Sequence, residues 1–569
     1  MTGLEPIAVV GASCRLPGAR DLAELWELLR AGREAVSRVP ADRWEVDAYH
    51  DPGAGVPGKT NAIHGGFLDR VDEFDPGFFG ISPGEAAGMD PQHRLLLEVG
   101  FEAFEDAGIV PGMAAGRCGT FVGIASSDYA QLVLADLRNV NAYSLPGNAA
   151  SVAVNRLSER LDLQGPSVAV DTACSSSLVA LHLACQSLRT HEVDLALAGG
   201  VNVMLSPHGS IALSQLWMTT GEAHCRSFDA EADGYLRAEG CGMVVLERLS
   251  SALARGDVVL GVLRGSATGH GGRGGGLISP SRSGQEDVIR RALEAAGATP
   301  GEVDFVEAHG NGIQASDAVE LAALRSVFGP GRSPERPLLV GAVKTNFGSL
   351  EAAAGMASLL KALLAVEHEE LPPHLNLATP CEALVAAQGA LVVSTERRPL
   401  PGVRLAGVSS FGFSGTNAHV LVERAPRREP RAPLGERPGL LLLSANDRPA
   451  LAELARRFAR HLAAHPELTL ADVCFSANTG RAQRVTRLAV VARTTSELAS
   501  LLGGFAETGA LPRDASDARL AAVAAAFLAG KAVDTSALRA PGARRVRLPT
   551  YPFQRQRCWF EKASEEGDA

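Results

Sequence analysis

The stretch PSVAVDTACSSSLVALHL, residues 166–183, sets a cysteine between an apolar run and a helical repeat. Val168, Ala169 and Val170 read as a short strand covered on both faces. Leu178, Leu181 and Ala184 recur at helical spacing, so Cys174 is predicted at the first turn of a helix. Free peptide N–H groups and the positive end of the helix dipole favour thiolate there. A cysteine nucleophile needs that setting. Ser175, Ser176 and Ser177 are small and would leave room beside the sulfur for a ligand. The competing reading is a buried, inert thiol, the usual state of a free cysteine.

The elements around this stretch alternate. Strands are expected at residues 6–11, 117–123, 194–205 and 242–248, and helices at 21–31, 90–107 and 149–161. Asp21 and the Asp90-Pro91 pair mark helix starts, and Leu95, Leu96, Val99, Phe101 and Phe104 are candidate core on the second helix. Residues 37–66, rich in Pro, Gly and Asp, read as irregular surface. A second set repeats the rhythm between 259 and 423, with strands at 259–266, 303–308, 338–343, 404–409 and 418–423. Its helices fall at 285–296, 317–328 and 350–365. This is an α/β pattern with buried, mostly parallel sheets in two successive halves. A Pro- and Arg-rich linker at 425–439 leads to a smaller α/β unit. The basic tail, 546–560, carries Tyr551, Phe553, Trp559 and Phe560, which would be costly to leave in water, so it is expected to lie back on the body.

The chain has 569 residues, 46% hydrophobic and 21% charged, with a net charge of −10. That composition gives no reason to expect nucleic acid or an anionic membrane as partner. Nine scattered cysteines without a CxxC pair fit a reducing cytoplasm and point away from disulfides or a structural metal site. No basic-then-apolar leader opens the chain and no run is long enough to span a bilayer, so a cytoplasmic protein is expected. His224, His368, His374 and His419 lack metal-ligand spacing and read as structural or exposed.

Four motifs carry a resemblance: DTACSSSL at 171–178, VEAHG at 306–310, VKTNFG at 343–348 and GVSSFGFSGTNAH at 407–419. With DPQHRLLLE, SFDAEADGYLRAEG and the closing LPTYPFQRQRCW in the same order, the chain resembles the ketosynthase domain of modular polyketide synthases. The resemblance implies a thiolase-like αβαβα duplicated fold over residues 1–424 and a smaller linker subdomain over 425–569, with the acyltransferase absent. It implies a homodimer, no bound cofactor, no metal, and a substrate carried on the phosphopantetheine arm of an acyl carrier protein. The absence of acyltransferase, carrier and reductase motifs suggests a discrete protein.

Residue by residue, Cys174 matches the acyl-accepting nucleophile and His309 the first catalytic histidine. The N–H groups of Cys174 and Phe413 match an oxyanion hole, and Lys344 and Glu320 match supporting positions. The pattern calls for a second histidine after Gly348, where this chain has Ser349. A serine cannot serve as an imidazole acid or base, and losing such a group typically costs ~10²–10⁴ in rate. Decarboxylative elongation should therefore be impaired while acyl transfer to Cys174 survives. Other departures cluster. Asn311 and Ile313 replace part of the HGTGT pattern. The loop from Gly269 through His270 to Ile278 has glycine at 269, 271 and 275 where polar side chains are expected. These residues and Phe411 are candidate pocket positions. Two functions fit: a cyclase that closes an intramolecular aldol bond and releases a β-lactone, similar to salinosporamide-type bicyclases, or a non-elongating transacylase. Residual elongation is a third, weaker reading.

Overall fold

The computed structural model describes residues 4–113, 116–273, 276, 278–431, 437–510 and 517–561. Gly274, Gly275 and Leu277 of the altered glycine loop lie outside the described residues, as do residues 432–436 of the expected linker and the last eight positions.

Eleven strands form one sheet: β1 (Ile7–Arg15), β2 (Cys118–Gly123), β3 (Ser167–Val170), β4 (Leu195–Asn202), β5 (Gly240–Arg248), β6 (Gly261–His270), β7 (Phe305–Glu307), β8 (Leu338–Gly341), β9 (Leu391–Val393), β10 (Leu405–Phe411) and β11 (Thr416–Arg424). Their order is β9-β8-β7-β10-β11-β6-β1-β5-β4-β2-β3. The outer pairings at both ends are parallel. Those across the middle are antiparallel. This corrects the expectation of mostly parallel sheets. Strand–helix alternation marks the crossovers correctly. However, the glycine-rich FGFSGTN stretch is a hairpin that pairs Phe411 with Asn417 and turns the chain straight back.

Helix α1 (Pro91–Asp106) starts at Asp90, whose carboxylate accepts from the Gln92 N–H at 2.8 Å. Helices α2 (Ser176–Arg189) and α5 (Ala354–His368) occupy the middle layer. Leu178, Leu181, Leu359 and Leu363 share one apolar cluster there with Val9, Val244 and Ala406 of the sheet. Between them in sequence lie α3 (Arg282–Ala296), which packs on β6, and α4 (Gln314–Phe328), which packs on α3.

Strand β3 does not lie where the apolar run suggested. It forms one end of the sheet, and Val168 and Ala169 are only half-buried. A short apolar run is compatible with a central or an edge strand, and only the pairing decides. Residues 37–66 also differ from the expected irregular surface. Ser37–Arg38 pairs with His64–Gly65, and Trp44, Thr60 and Asn61 are buried.

Beyond the linker, β12 (Gly439–Ala445) and β13 (Thr486–Ala492) pair antiparallel, flanked by α6 (Arg448–Ala464), α7 (Leu470–Gly480) and α8 (Thr495–Thr508). Leu441, Leu454 and Leu488 join Phe101 and Phe104 of α1 in a single apolar cluster. The tail closes over this junction. Phe553 meets Phe78 edge-on with ring centroids 4.8 Å apart, and Trp559 meets Tyr129 at 5.0 Å. Its arginines pair with two of the buried acids of α1. Arg555 pairs with Glu98 at 2.7 Å and Arg547 with Asp106 at 2.8 Å. Leu97 is buried and Leu95, expected in the core, is half-buried.

Candidate active site

The turn carrying Cys174 is built by its neighbours' side chains. Ala173 sits at φ 56, a strained conformation for a residue with a Cβ. The Ser175 hydroxyl donates to the Thr172 carbonyl at 2.8 Å, and the Ser176 hydroxyl to Ala173 at 2.6 Å. The Ser177 hydroxyl accepts from the Met356 N–H at 3.1 Å, joining α2 to α5. All three serines are fully buried. They brace the turn from within and do not open space beside the sulfur, contrary to the sequence expectation. Cys174 itself precedes α2, whose cap is Ser175.

A cavity of about 520 Å³ opens at this turn, in the size range of sites for small organic ligands. Cys174, His309, Ser349, Asn311, Ile313, His270, Phe411 and Phe413 all line it. Lys344 and Glu320 stand behind the wall. The Lys344 ammonium donates to the His309 carbonyl. The Glu320 carboxylate accepts from the N–H groups of His309 at 2.7 Å and Gly310 at 2.8 Å. Sequence reading missed Tyr235, Trp217 and Asp317. Both Tyr235 and Trp217 line the cavity, Tyr235 from within SFDAEADGYLRAEG, where nothing singled it out, and Trp217 from a segment without a motif. The Asp317 carboxylate accepts from the N–H groups of Phe228, Asn311 and Gly312 and so shapes the loop after His309.

The electrostatics oppose the simple helix-dipole argument. Burial pushes the Cys174 thiol up to about 11, and Glu351 adds to the rise; Lys344 and the peptide N–H groups of Cys174 and Phe413 pull it back. Those two N–H groups therefore both act at the sulfur. The Ser410 hydroxyl donates to the Cys174 carbonyl at 2.7 Å and ties the turn to β10. His309 is held well below its usual range by burial and by Lys344, so the ring is neutral. Its Nδ1 accepts from the Phe411 N–H across a long 3.4 Å, which leaves the proton on Nε2. Ser349 is 2% exposed. Its N–H donates to the Leu236 carbonyl and its hydroxyl accepts weakly from the Glu351 N–H at 3.4 Å. Arg237 grips Glu351 with two hydrogen bonds, at 2.5 and 3.1 Å. Ion, hydroxyl and backbone thus fix position 349, with no imidazole there.

His270 ends β6. Its Nδ1 accepts from the Gly272 N–H at 3.0 Å and its Nε2 donates to the Ser414 carbonyl at 3.3 Å, so both nitrogens are engaged by backbone. Asn311 uses its side-chain oxygen on the Ile313 N–H at 3.1 Å, next to the start of α4.

Residues 4–252 match the family model for the beta-ketoacyl synthase N-terminal domain, and residues 260–378 match its C-terminal domain. The chain is 37% identical to the oxazolomycin ketosynthase domain OzmH KS7 of Streptomyces albus JA3453, with a TM-score of 0.90 over 98% of both chains. The chain belongs to the beta-ketoacyl synthase family. Its thiolase-like fold is that of polyketide synthase ketosynthases. The ketosynthase from module 6 of the bacillaene synthase of Bacillus subtilis 168 matches at 34% identity and a TM-score of 0.87, covering 98% of this chain and 100% of that one. Beyond the ketosynthase body, residues 439–502 match a model described as CurL-like, PKS C-terminal. A phenolphthiocerol/phthiocerol polyketide synthase protein of Mycobacterium tuberculosis strain H37Rv is 46% identical over 501 residues, 87% of this ketosynthase and 32% of that protein. The ketosynthase thus spans about a third of the length of such curated relatives. Among the described residues, no helix is long and apolar enough to cross a membrane.

Proposed function

We propose that this ketosynthase takes an acyl chain from a carrier protein onto Cys174 and closes it into a ring without decarboxylative elongation. The observation that carries the reading is Ser349 on the buried wall of the Cys174 cavity, where the family pattern calls for a second imidazole. In the loading step, the Cys174 sulfur bonds to the thioester carbon, the carbon–sulfur bond to pantetheine breaks, and the departing thiolate takes the proton. The N–H groups of Cys174 and Phe413 meet the oxyanion, a type of interaction typically worth ~10²–10³ in rate. Solvent water in the cavity then takes the acidic α-proton of the bound β-ketoacyl chain as a new bond forms to the chain's own carbonyl electrophile, and it returns that proton to the Cys174 sulfur when the thiolate leaves. His309 polarises the enolate oxygen through Nε2–H. The resulting alkoxide attacks the thioester carbon, and Cys174 leaves with the proton. No carbon dioxide is lost, so one imidazole suffices, and the cavity is large enough for a folded chain.

A second reading is a transacylase that hands the chain to another carrier. The neutral His309, with Nδ1 occupied by Phe411, suits holding a carbonyl better than removing a carbon-bound proton. The test is a carrier-bound β-ketoamide. A released bicyclic lactone supports the cyclase; intact chain on a second carrier supports the transacylase and rejects ring closure. We also propose a homodimer through β3, supported by its unpaired sheet edge and by the exposed Leu137 and Leu145, which are about four-fifths accessible. An acyl carrier protein as donor belongs to the same reading, as does the unit division near residue 425.

A further inference from the structure

We infer that Trp217 is a specificity-determining residue that selects acyl chains with an apolar distal portion at the mouth of the Cys174 cavity. The inference rests on the proposed loading of Cys174. The helix His208–Gln215 ends in the hydrogen-bond pattern that normally calls for glycine. The Trp217 N–H donates to the Ser214 carbonyl at 3.1 Å and the Met218 N–H to Leu213 at 3.2 Å. The residue at the turn must then adopt a left-handed backbone, and Trp217 does so at φ 57. Glycine takes that conformation freely; an aromatic residue pays strain for it.

The same tryptophan is 70% exposed, so burial of its ring does not repay the strain. The ring is nonetheless held. Gly55 lies against it so closely that an added Cβ would come within 3.2 Å of the indole, and the Gly55 N–H bonds the same Ser214 carbonyl at 3.1 Å. Trp217 lines the cavity that contains Cys174. Leu216, Ile278 and Phe413 line it too and are likewise exposed. His309, Ser349 and Tyr235 are buried and form a polar, reactive floor, while the exposed Trp217, Leu216, Ile278 and Phe413 make an apolar part of the rim beside the exposed polar residues His270, Arg273 and Ser279. A strained, braced and solvent-facing indole at that rim is placed to cover the distal part of a chain whose thioester lies at Cys174. Apolar groups gain from leaving water against the indole face, and a hydroxyl laid on that face would lose hydration that the ring does not replace.

The experiment follows acylation of Cys174 by intact mass with acetyl-, octanoyl- and hydroxyl-terminated eight-carbon pantetheine thioesters, in wild type, Trp217→Gly and Trp217→Phe. Glycine suits the left-handed turn, so Trp217→Gly should unfold at a temperature equal to or above wild type, which removes misfolding as an explanation. The expected result is a preference for octanoyl over the hydroxylated chain in wild type, lost by about tenfold in Trp217→Gly through KM. Acetyl loading should be unchanged, and Trp217→Phe should restore much of the preference. An unchanged octanoyl preference in Trp217→Gly, or an equal fall for acetyl, would overturn the inference while leaving Cys174 loading intact. Absence of any Cys174 adduct in wild type would overturn the proposed function and this inference together.

Discussion

Alkylation of Cys174 as a function of pH separates a dipole-activated thiolate from a buried thiol. With the group pushed up to about 11, roughly one part in a thousand is ionised at pH 8, against about a quarter for an unperturbed cysteine. Iodoacetamide should therefore label Cys174 about 10²-fold more slowly than a free thiol at that pH. The logarithm of the rate should climb by one per pH unit through pH 10 without levelling. The other cysteines are all buried, so a tryptic peptide containing Cys174 can be followed by mass spectrometry with little competition. Lys344 is a cation that favours this ionisation, so Lys344→Met should slow labelling further at pH 8. A rate that levels off below pH 8 would refute the reasoning, because it would mean that the helix terminus and the two N–H groups outweigh burial.

Placing an imidazole at position 349 with Ser349→His should raise carbon dioxide release from a malonyl thioester by about 10² or more; no increase would count against Ser349 as the basis of the proposed non-decarboxylating reaction. Burial raises the Asp317 carboxyl to about 7, so the folded chain holds that proton more tightly than the unfolded one. Its contribution to stability is full below about pH 4 and lost as pH rises to about 7. The melting temperature of Asp317→Asn relative to wild type should therefore improve between pH 5 and 8, and a constant difference would contradict the assignment. Phe553→Ala removes a half-buried ring from contact with Phe78, Phe79, Phe101 and Tyr551. It should cost about 2–4 kcal/mol in urea unfolding and expose the tail to proteolysis; wild-type resistance would show that the tail is held by its arginines alone.

What could be read from the residues depended on how local the cause was. Asp21 and Asp90 cap helices through atoms two or three residues away, and both starts were legible. The aromatic tail was expected to fold back because its surface could not stay wet, and its rings do meet Phe78 and Tyr129. The motifs brought Cys174, His309, Ser349, Phe411 and Phe413 to one cavity, although four of them lie more than a hundred residues downstream of the cysteine. Three things were not legible because they depend on neighbours remote in sequence. The edge position of β3 is set by pairing. The state of the thiol is set by burial beneath β10 and beside Glu351. The serines after Cys174 looked like space for a ligand, yet each is turned inward by a partner that no spacing rule reveals. Trp217 escaped notice for a similar reason: its backbone conformation gives it meaning, and one tryptophan in sequence carries no such mark.

The most direct measurement presents wild-type protein with an acyl chain and a malonyl group on separate carriers. Cys174 occupancy is read by intact mass, and carbon dioxide is read from labelled malonate. The account predicts a thioester adduct that vanishes in Cys174→Ala, together with carbon dioxide release no greater than that of the Cys174→Ala protein. Rapid carbon dioxide release with an elongated product from the wild-type chain would contradict it.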